Sequence, residues 1–217
     1  MIDYAQARRM MVDCQLRTFD VNENTVLDAF DTVARETFVP KDREPFAYID
    51  QTLHIGPAGG ESRCMPAPMV LARMIQALRI RPGVTALDVA SGYGYAASVM
   101  AHLGAQVTAL ESVPELAAEA RSRLGTAVQV VEGPIGAGAP KQAPFDVILV
   151  NGRVEVRPQA LLEQLKDDGR LVCVMGPHRN AKVTLFVRAG DAFGARPLFD
   201  ASLPGLDAFA EEAGFAF

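Results

Sequence analysis

Val84-Thr-Ala-Leu-Asp-Val-Ala-Ser-Gly-Tyr-Gly-Tyr-Ala-Ala-Ser-Val-Met-Ala101 is the stretch that decides the fold. It opens as an apolar strand with an acid at Asp88, and a turn of small residues, Ala90 to Gly94, follows directly. A helix is predicted to begin at about Tyr95. Glycine lets such a turn adopt positive φ and approach a ligand closely. The first N–H groups of the helix then point at any anionic group bound there, so the stretch predicts a ligand site.

The spacing of the small residues favours one class of nucleoside cofactor. Dinucleotide-binding turns read G-x-G-x-x-G, whereas this turn reads Asp-x-Ala-x-Gly-x-Gly and lacks the third glycine. A cofactor with a carboxylate and no phosphate, such as S-adenosylmethionine, fits this turn better. The next predicted strand ends in Glu111, roughly the 20 residues beyond Asp88 at which an acid binds ribose hydroxyls in dinucleotide folds. A nicotinamide-dependent oxidoreductase is the alternative that the missing glycine disfavours.

The composition is that of an acidic globular protein. The 217 residues, 49% apolar and 22% charged, suit one α/β domain with appendages. The net charge of −5 argues against nucleic acid as the main partner, because phosphate binding needs clustered Lys and Arg. No stretch approaches the roughly 20 apolar residues of a membrane span, and the N-terminus has no apolar signal core. We therefore expect a cytoplasmic protein that binds neither nucleic acid nor membranes, and the oligomeric state stays open.

The cysteines predict neither a metal site nor a disulfide framework. Cys14, Cys64 and Cys173 are odd in number and far apart in the chain. No pair among the cysteines and histidines has metal-ligand spacing. Free thiols are typical of a reducing compartment, and we expect no metal.

Alternating strands and helices predict a doubly wound, mostly parallel sheet of the Rossmann-like type, preceded by an N-terminal helical segment. Residues 1–68 are predicted to form that helical segment with a cover loop, and residues 69–217 the cofactor-binding domain. The cover loop, 56–68, is rich in proline and glycine and contains no helix or central strand. The predicted strands are 84–89, 106–111, 127–131, 145–150, 170–175 and 183–188, with a further one at 197–203. The predicted helices are 3–17, one capped at Asn22 or Asn24, 69–78, 95–103, 114–124 and 158–166, the last ended by Asp168-Gly169, and 48–55 is expected to be extended.

Small or acidic residues follow each of the parallel strands. They are Ala90–Gly94, Glu111, Glu132-Gly133 and Asn151-Gly152. In parallel sheets, ligands bind at the carboxyl ends of the strands near the point where the strand order reverses. These residues are suited to a crevice for ribose and adenine.

At this point the chain resembles the protein-L-isoaspartate O-methyltransferase family over most of its length. Ala34-Arg-Glu-Thr-Phe-Val-Pro40, Ala47-Tyr-Ile-Asp50 and Leu53-His-Ile-Gly56 are similar to the N-terminal signature of that family. Asp88 to Tyr95 resembles its cofactor loop, and 159–172 resembles its late helix–turn–strand signature. The signatures occur in the family's order with fitting spacing, which is more specific than a glycine turn alone.

The resemblance implies an S-adenosylmethionine-dependent methyltransferase that methylates the α-carboxylate of L-isoaspartyl residues in damaged proteins and releases S-adenosylhomocysteine. Asp88 to Tyr95 would line the methionine part of the cofactor, Glu111 would bind the ribose hydroxyls, and Glu132 would face the adenine. The predicted cofactor-binding residues are Asp88, Ala90, Ser91, Gly92, Gly94, Tyr95, Glu111, Ser112, Glu132, Gly133 and Asn151.

Three departures from the family pattern concern the site. Ala90 replaces the first glycine of the loop, which is tolerable at negative φ and strained at positive φ. Glu132-Gly133 replaces Asp-Gly. The family motif T-[IV]-S-x-P carries a serine that serves the reaction, and Pro66 stands in its place, without a side-chain donor. Shifting the alignment by one residue puts Met65 there, and Ser62 falls four positions early.

The acceptor side also departs, because the family's T-A-A-A-P segment reads Asn151-Gly-Arg-Val-Glu155 here. His54, Arg63, Met65 and Arg153 are the candidate substrate contacts, and the catalytic residue is unassigned. A carboxylate acceptor is ionised at neutral pH and needs no base. A neutral acceptor needs one, for which Glu61, His54 or Glu155 are the candidates. A methyltransferase with another acceptor and a catalytically silent cofactor-binding protein remain alternatives.

Overall fold

The computed structural model describes residues 2–56, 60–61 and 63–211, and its N-terminal part is a set of short helices. Asp3 caps the first of them by accepting the N–H of Gln6. In chain order the elements are α1 (Tyr4–Met11), a π-helical stretch (Val12–Leu16), a 3-10 turn (Arg17–Phe19), α2 (Asn24–Thr32), 3-10 turns at Arg35–Phe38 and Lys41–Phe46, β1 (Leu53–His54) and β2 (Cys64–Met65). The two short strands pair antiparallel.

The rest of the described chain alternates between strands and helices as predicted. The helices are α3 (Pro68–Leu78), α4 (Tyr95–His102), α5 (Pro114–Leu124) and α6 (Gln159–Leu162). The strands are β3 (Thr85–Val89), β4 (Gln106–Glu111), β5 (Gln129–Glu132), β6 (Phe145–Val154), β7 (Leu165–Met175), β8 (Lys182–Ala189) and β9 (Ala192–Asp200). Proline at the start of α3 and α5 does not cost a helical hydrogen bond.

The seven strands β3 to β9 form one sheet in the order β5-β4-β3-β6-β7-β8-β9. The first five strands of that order are parallel, and β8 and β9 add antiparallel. The strand order reverses between β3 and β6, so the carboxyl ends of these two strands flank the place where such folds bind ligands. The predicted doubly wound, mostly parallel fold with an N-terminal helical segment is confirmed.

Two apolar clusters cover the two faces of the sheet. One joins the N-terminal helices to α3, α4 and the sheet, with Phe30, Met74 and Val99 among its buried residues. The other lies under α6 and the C-terminal segment, residues 201–211, with Leu161, Phe186 and Phe209 among its buried residues. The N-terminal segment therefore shares its core with the sheet, and the proposed boundary between residues 68 and 69 remains a prediction.

Several predicted element bounds were wrong. The predicted helix 158–166 ends at Leu162, and the chain enters β7 at Leu165. Asp168-Gly169 therefore does not end a helix. These two residues lie in a bulge of β7, where Asp168 has a φ of 60°. The apolar residues Leu161, Leu162 and Leu165 fit either a helix face or a buried turn, and here tertiary packing decides between them.

The cover loop and the strand ends also differ from prediction. The predicted extended segment 48–55 contains only β1 as strand, and the loop 56–68 contains β2. The last predicted strand, 197–203, lies instead at Ala192–Asp200 and includes Pro197. Proline is tolerated there because β9 is an edge strand. The strand predicted at 145–150 continues to Val154, so Asn151 lies inside β6 and not after it.

Candidate functional site

The turn after β3 is built from three residues with positive φ. Ala90 has a φ of 56°, Gly92 of 56° and Gly94 of 92°. Ala90 thus adopts the left-handed conformation that glycine tolerates, which costs a residue with a Cβ roughly 1–2 kcal/mol. Strain of this kind is typical of ligand sites that the surrounding structure holds in place. The sequence left open whether φ of Ala90 is negative or positive, and the structure has the positive, strained value.

A buried polar cluster joins the carboxyl ends of β3 and β6. Asp88 and Asn151 are 0% and 3% exposed, and the Nδ2 of Asn151 donates to Oδ1 of Asp88 at 2.5 Å. Asn151 lies in a bulge of β6, between the pairs Leu149–Val172 and Arg153–Val174, and a bulge re-aims a side chain in this way. Two strands that the chain separates widely thus bring these two side chains together.

The same cluster contains buried polar atoms without partners. Oδ2 of Asp88, Oγ of Ser91 and Oδ1 of Asn151 make no hydrogen bond of normal geometry within the described residues, although the Ala97 N–H lies near the Asp88 carboxylate. Burial raises the pKa of Asp88 from 3.8 to about 7, against the opposing effect of the Asn151 amide. Buried polar atoms are nearly always hydrogen-bonded, so this cluster has the donors and acceptors to hold a polar ligand.

Glu111, at the carboxyl end of β4, has both carboxylate oxygens occupied. It is 0% exposed. Oε2 accepts the N–H of Gly92 at 2.8 Å, which ties β4 to the turn after β3. Oε1 accepts the N–H groups of Ser112 and Val113 at 2.8 and 3.0 Å and the Nε–H of Arg63 at 2.8 Å. The carboxylate lies where the sequence predicted it, with an arginine of this chain bound to it.

Arg63 fills the predicted ribose position from the cover loop. It is 1% exposed, and its Nη2 donates to Glu61 at 2.7 Å and to Oγ of Ser112 at 2.5 Å. Ile55 closes the neighbouring space, because a Cβ placed on Gly92 would lie 2.4 Å from its Cδ1. The cavity that remains at the turn measures about 10 Å³, near the volume that one water needs. A nucleoside therefore fits this crevice only after Arg63 and Ile55 have moved.

Other predicted cofactor positions lie at the rim of this crevice. Glu132 is exposed and forms an ion pair with Arg121 at 3.5 Å. Gly133 donates its N–H to the Glu111 carbonyl at 3.0 Å, which places it beside the buried carboxylate. The structure thus brings the residues predicted for methionine and ribose together, with the predicted adenine residue farther out.

The predicted substrate residues occupy different surroundings. His54 is exposed on β1, whereas Met65 on β2 is 3% exposed and lines the small cavity. Arg153 is 7% exposed, and its guanidinium lies against Gly205 of the C-terminal segment. Its Nη1 donates to Glu155 at 2.6 Å and to the Gly176 carbonyl at 3.0 Å. Arg153 therefore supports β6. Two of the predicted substrate contacts lie in the site: Met65 lines the cavity, and Arg63 is bound to Glu111.

Pro66, which the sequence comparison predicts to stand at the position of the family serine, also lines the cavity. Behind it lies Arg35, which the sequence analysis did not single out as a site residue although it belongs to the N-terminal signature. Its Nη2 donates to the Pro66 carbonyl at 2.7 Å. Ile55 and Leu71 line the same cavity and were also missed, since an apolar residue at a site has the same sequence signal as a core residue.

Two further observations concern metals and membranes. Within residues 2–56, 60–61 and 63–211, no three His, Cys, Asp or Glu side chains lie close enough together to hold a metal ion. None of the helices in this part of the chain combines the length and the apolar character needed to cross a bilayer.

The chain is similar to known proteins over most of its length. The family described as protein-L-isoaspartate(D-aspartate) O-methyltransferase (PCMT) matches residues 6–196. A protein-L-isoaspartate O-methyltransferase of Methylorubrum populi is 42% identical over 193 residues, which are 88% of this chain and 88% of that one. A relative of the same name from Methylorubrum extorquens is 41% identical over 89% of this chain and 85% of that protein.

Solved structures show the same fold. A protein-L-isoaspartate O-methyltransferase superposes with a TM-score of 0.78 at 24% identity, over 91% of this chain and 65% of that longer one. A Plasmodium falciparum protein of the same designation, solved in complex with S-adenosyl-L-homocysteine, superposes with a TM-score of 0.76 at 20% identity, over 93% and 98%. With the family match over nearly the whole sheet, this chain belongs to the protein-L-isoaspartate O-methyltransferase family and is a methyltransferase.

Proposed function

We propose that this protein transfers the methyl group of S-adenosylmethionine to the α-carboxylate of L-isoaspartyl residues in damaged proteins and releases S-adenosylhomocysteine. The family match over residues 6–196 carries the proposal. The buried polar cluster and the carboxylate of Glu111 support it, because they lie at the reversal of strand order where such folds bind ligands.

The donor set fits the cofactor. Asp88, Ser91 and Asn151 would hold the methionine part, since each has a buried polar atom that lacks a partner. Glu111 would bind the ribose hydroxyls once Arg63 leaves its Oε1. S-adenosylmethionine supplies a sulfonium methyl group that is already a strong electrophile when bound.

This chain then mainly has to hold the acceptor carboxylate in line with the methyl carbon and the sulfur of the cofactor. A carboxylate nucleophile is ionised at neutral pH, so no residue has to remove a proton from it. Proximity and orientation then supply most of the rate enhancement. The apolar walls of the cavity, Ile55, Met65 and Leu71, would exclude water from the acceptor oxygen.

A different acceptor on the same scaffold is the second candidate. Pro66 replaces the serine of the family motif. Arg153 and Glu155 stand in a segment where the family has small residues, and they pair with each other at 2.6 Å. These residues reshape the acceptor side while leaving the cofactor side intact, so another carboxylate or small molecule is the alternative substrate.

The proposed setting is cytoplasmic, with isoaspartyl-containing proteins as partners and no nucleic acid. The acidic net charge of −5 and the free thiols of Cys14, Cys64 and Cys173 support it, since disulfides are rare in reducing compartments.

A labelled-methyl assay tests the proposal. The full chain is incubated with methyl-labelled S-adenosylmethionine and an isoaspartyl peptide, with the matching aspartyl peptide as the control acceptor. Label in the isoaspartyl peptide alone is the expected result. Equal background label in both, together with measurable binding of S-adenosylhomocysteine by calorimetry, would favour a different acceptor. Absence of S-adenosylhomocysteine binding would overturn the proposed cofactor.

A further inference from the structure

A buried arginine and a buried tyrosine meet behind Pro66. Arg35 is 0% exposed and Tyr95, the first residue of α4, is 3% exposed. The Arg35 guanidinium lies 4.9 Å from the centroid of the Tyr95 ring. Its Nε donates to the Ala47 carbonyl and its Nη2 to the Pro66 carbonyl, both at 2.7 Å. These contacts fix the guanidinium against the short connection between β2 and α3 that carries Pro66.

Both side chains have donors that nothing in the described chain satisfies. Nη1 of Arg35 and the hydroxyl of Tyr95 lack a hydrogen bond of normal geometry, although the hydroxyl lies near the guanidinium. Among the described residues, no carboxylate forms an ion pair with Arg35; the nearby acid that acts on it over a longer distance is Asp50. A buried cation without a counter-ion is unfavourable unless something binds it.

The pair of Arg35 and Tyr95 lies beside the proposed acceptor site as well as in the core. Tyr95 lines the small cavity together with Cys64, Met65 and Pro66, and Pro66 occupies the place of the family serine. The ring of Tyr95 packs against Phe30 and Phe38 at centroid distances of 5.9 and 5.7 Å, which sets the direction of the hydroxyl. An unsatisfied donor therefore lies beside the position that has lost one.

We propose that the Tyr95 hydroxyl, with the Arg35 guanidinium behind it, binds the carboxylate of the methyl acceptor and replaces the donor that Pro66 lacks. This inference rests on the proposed function and names the groups that recognise its acceptor. Met65, which an incoming carboxylate would displace, is unbranched and adapts its shape readily.

The roles of the two residues differ. Tyr95 contacts the acceptor oxygen that is not methylated, and Arg35 is a positioning residue that holds the ring and adds positive charge. Methylation removes the charge of the carboxylate, so this recognition is at least as strong before the reaction as in the transition state. Losing it raises KM more than it lowers kcat.

Tyr95→Phe is the decisive variant because it removes one oxygen and keeps the ring packing. We expect KM for an isoaspartyl peptide to rise about tenfold to a hundredfold, the usual effect of a lost hydrogen bond to a charged group. The Kd for S-adenosylhomocysteine is expected to stay unchanged. The Tm of the free protein is expected to stay the same or rise, because the removed hydroxyl makes no hydrogen bond of normal geometry there.

Matched variants separate recognition from packing. Tyr48→Phe removes another buried hydroxyl, one that donates to Glu36 and accepts from Arg8, so it should lower Tm and leave KM unchanged. Arg35→Lys keeps the charge, and Arg35→Met removes it. The lysine variant is expected to retain more of the acceptor affinity than the methionine variant.

Each outcome decides the matter. A Tyr95→Phe protein with lower Tm and unchanged KM would show that the hydroxyl serves the fold through a bound water, and the inference would fall. Weaker binding of S-adenosylhomocysteine with unchanged KM would return Tyr95 to the cofactor, where the sequence had placed it. A wild-type protein inactive on the isoaspartyl peptide would overturn the proposed function and this inference together, whereas an active one with an unaffected variant would overturn the inference alone.

Discussion

Asp88 couples the stability of the free protein to pH. Its pKa is raised from 3.8 to about 7 by burial, so the folded state binds a proton more tightly than the unfolded state. Between about pH 4 and pH 7 the unfolded chain releases this proton first, and the free energy of unfolding falls as pH rises. Relative to Asp88→Asn, the wild type is expected to lose up to about 4 kcal/mol across this range.

Urea denaturation of both proteins at a series of pH values measures this difference. Asp13→Asn is the control, because Asp13 is exposed on the surface and should leave the pH profile of the wild type unchanged. Parallel profiles for wild type and Asp88→Asn would show that Asp88 is not held in a desolvated state.

Arg63 and the proposed ribose would compete for the carboxylate of Glu111, which Arg63 binds in the free protein. Arg63→Gln removes the charged partner of a fully buried carboxylate, so the Tm of the free protein should fall. Binding of S-adenosylhomocysteine should become tighter, by about tenfold if roughly 1.4 kcal/mol of the ion pair no longer has to be broken. Arg17→Gln, which removes an exposed pair with Asp13, should change neither quantity.

Calorimetric titration and thermal unfolding give the two readouts. Weaker binding to Arg63→Gln would instead mean that Arg63 helps to hold the nucleoside. Unchanged binding would mean that Arg63 does not compete with the nucleoside for Glu111.

The residues of the site were predictable where their chemistry is local. Asp88, the small-residue turn and Glu111 follow from one strand–turn–helix–strand pattern. The partners were not predictable in the same way: Asn151 reaches Asp88 through a bulge in β6, and Arg63 reaches Glu111 from the cover loop. Such contacts depend on how distant elements pack, which periodicity does not encode.

At the scale of elements, a glycine in β6 lets the C-terminal segment pack closely against that strand. A Cβ on Gly152 would lie 2.5 Å from Cγ of Leu206, while Leu206 donates its N–H to the Arg153 carbonyl at 3.0 Å. Gly152→Ala is therefore expected to destabilise the protein by about 1–3 kcal/mol through overpacking.

Gly194→Ala in β9 is the matched control. A Cβ on Gly194 would meet only the Val187 carbonyl oxygen, at 4.0 Å, so its stability should stay within about 0.5 kcal/mol of the wild type. Urea denaturation of the three proteins checks both values. Equal stability of the two variants would show that Leu206 moves aside without loss.

The bounds of elements were least predictable where one sequence pattern fits two kinds of secondary structure. Leu161, Leu162 and Leu165 suggested a helix to 166, and Asp168-Gly169 resembled its end. Asp168 does adopt a turn conformation, with a φ of 60°, but the turn is a bulge inside β7 and not the end of a helix. The chain forms a strand here because β7 pairs with β6 on one side and with β8 on the other. That pairing is a tertiary effect.

At the scale of the whole molecule, the shared core predicts one unfolding unit. Buried residues from α1, α2, α3 and the sheet form a single apolar cluster, which includes Met11, Phe30, Leu71 and Val107. Separate unfolding of the N-terminal segment would expose the sheet face that it covers, so the two parts should melt together. Scanning calorimetry should give a ratio of calorimetric to van't Hoff enthalpy near one.

S-adenosylhomocysteine should move that single transition as a whole. At about a hundred times its Kd, a ligand that binds only the folded state adds about 2.7 kcal/mol of stability. For a chain of this length that corresponds to a rise in Tm of roughly 5 to 10 °C. NAD at the same concentration is the control and should produce no shift. Two transitions, of which only the upper one responds to S-adenosylhomocysteine, would mean that the N-terminal segment unfolds independently of the cofactor site.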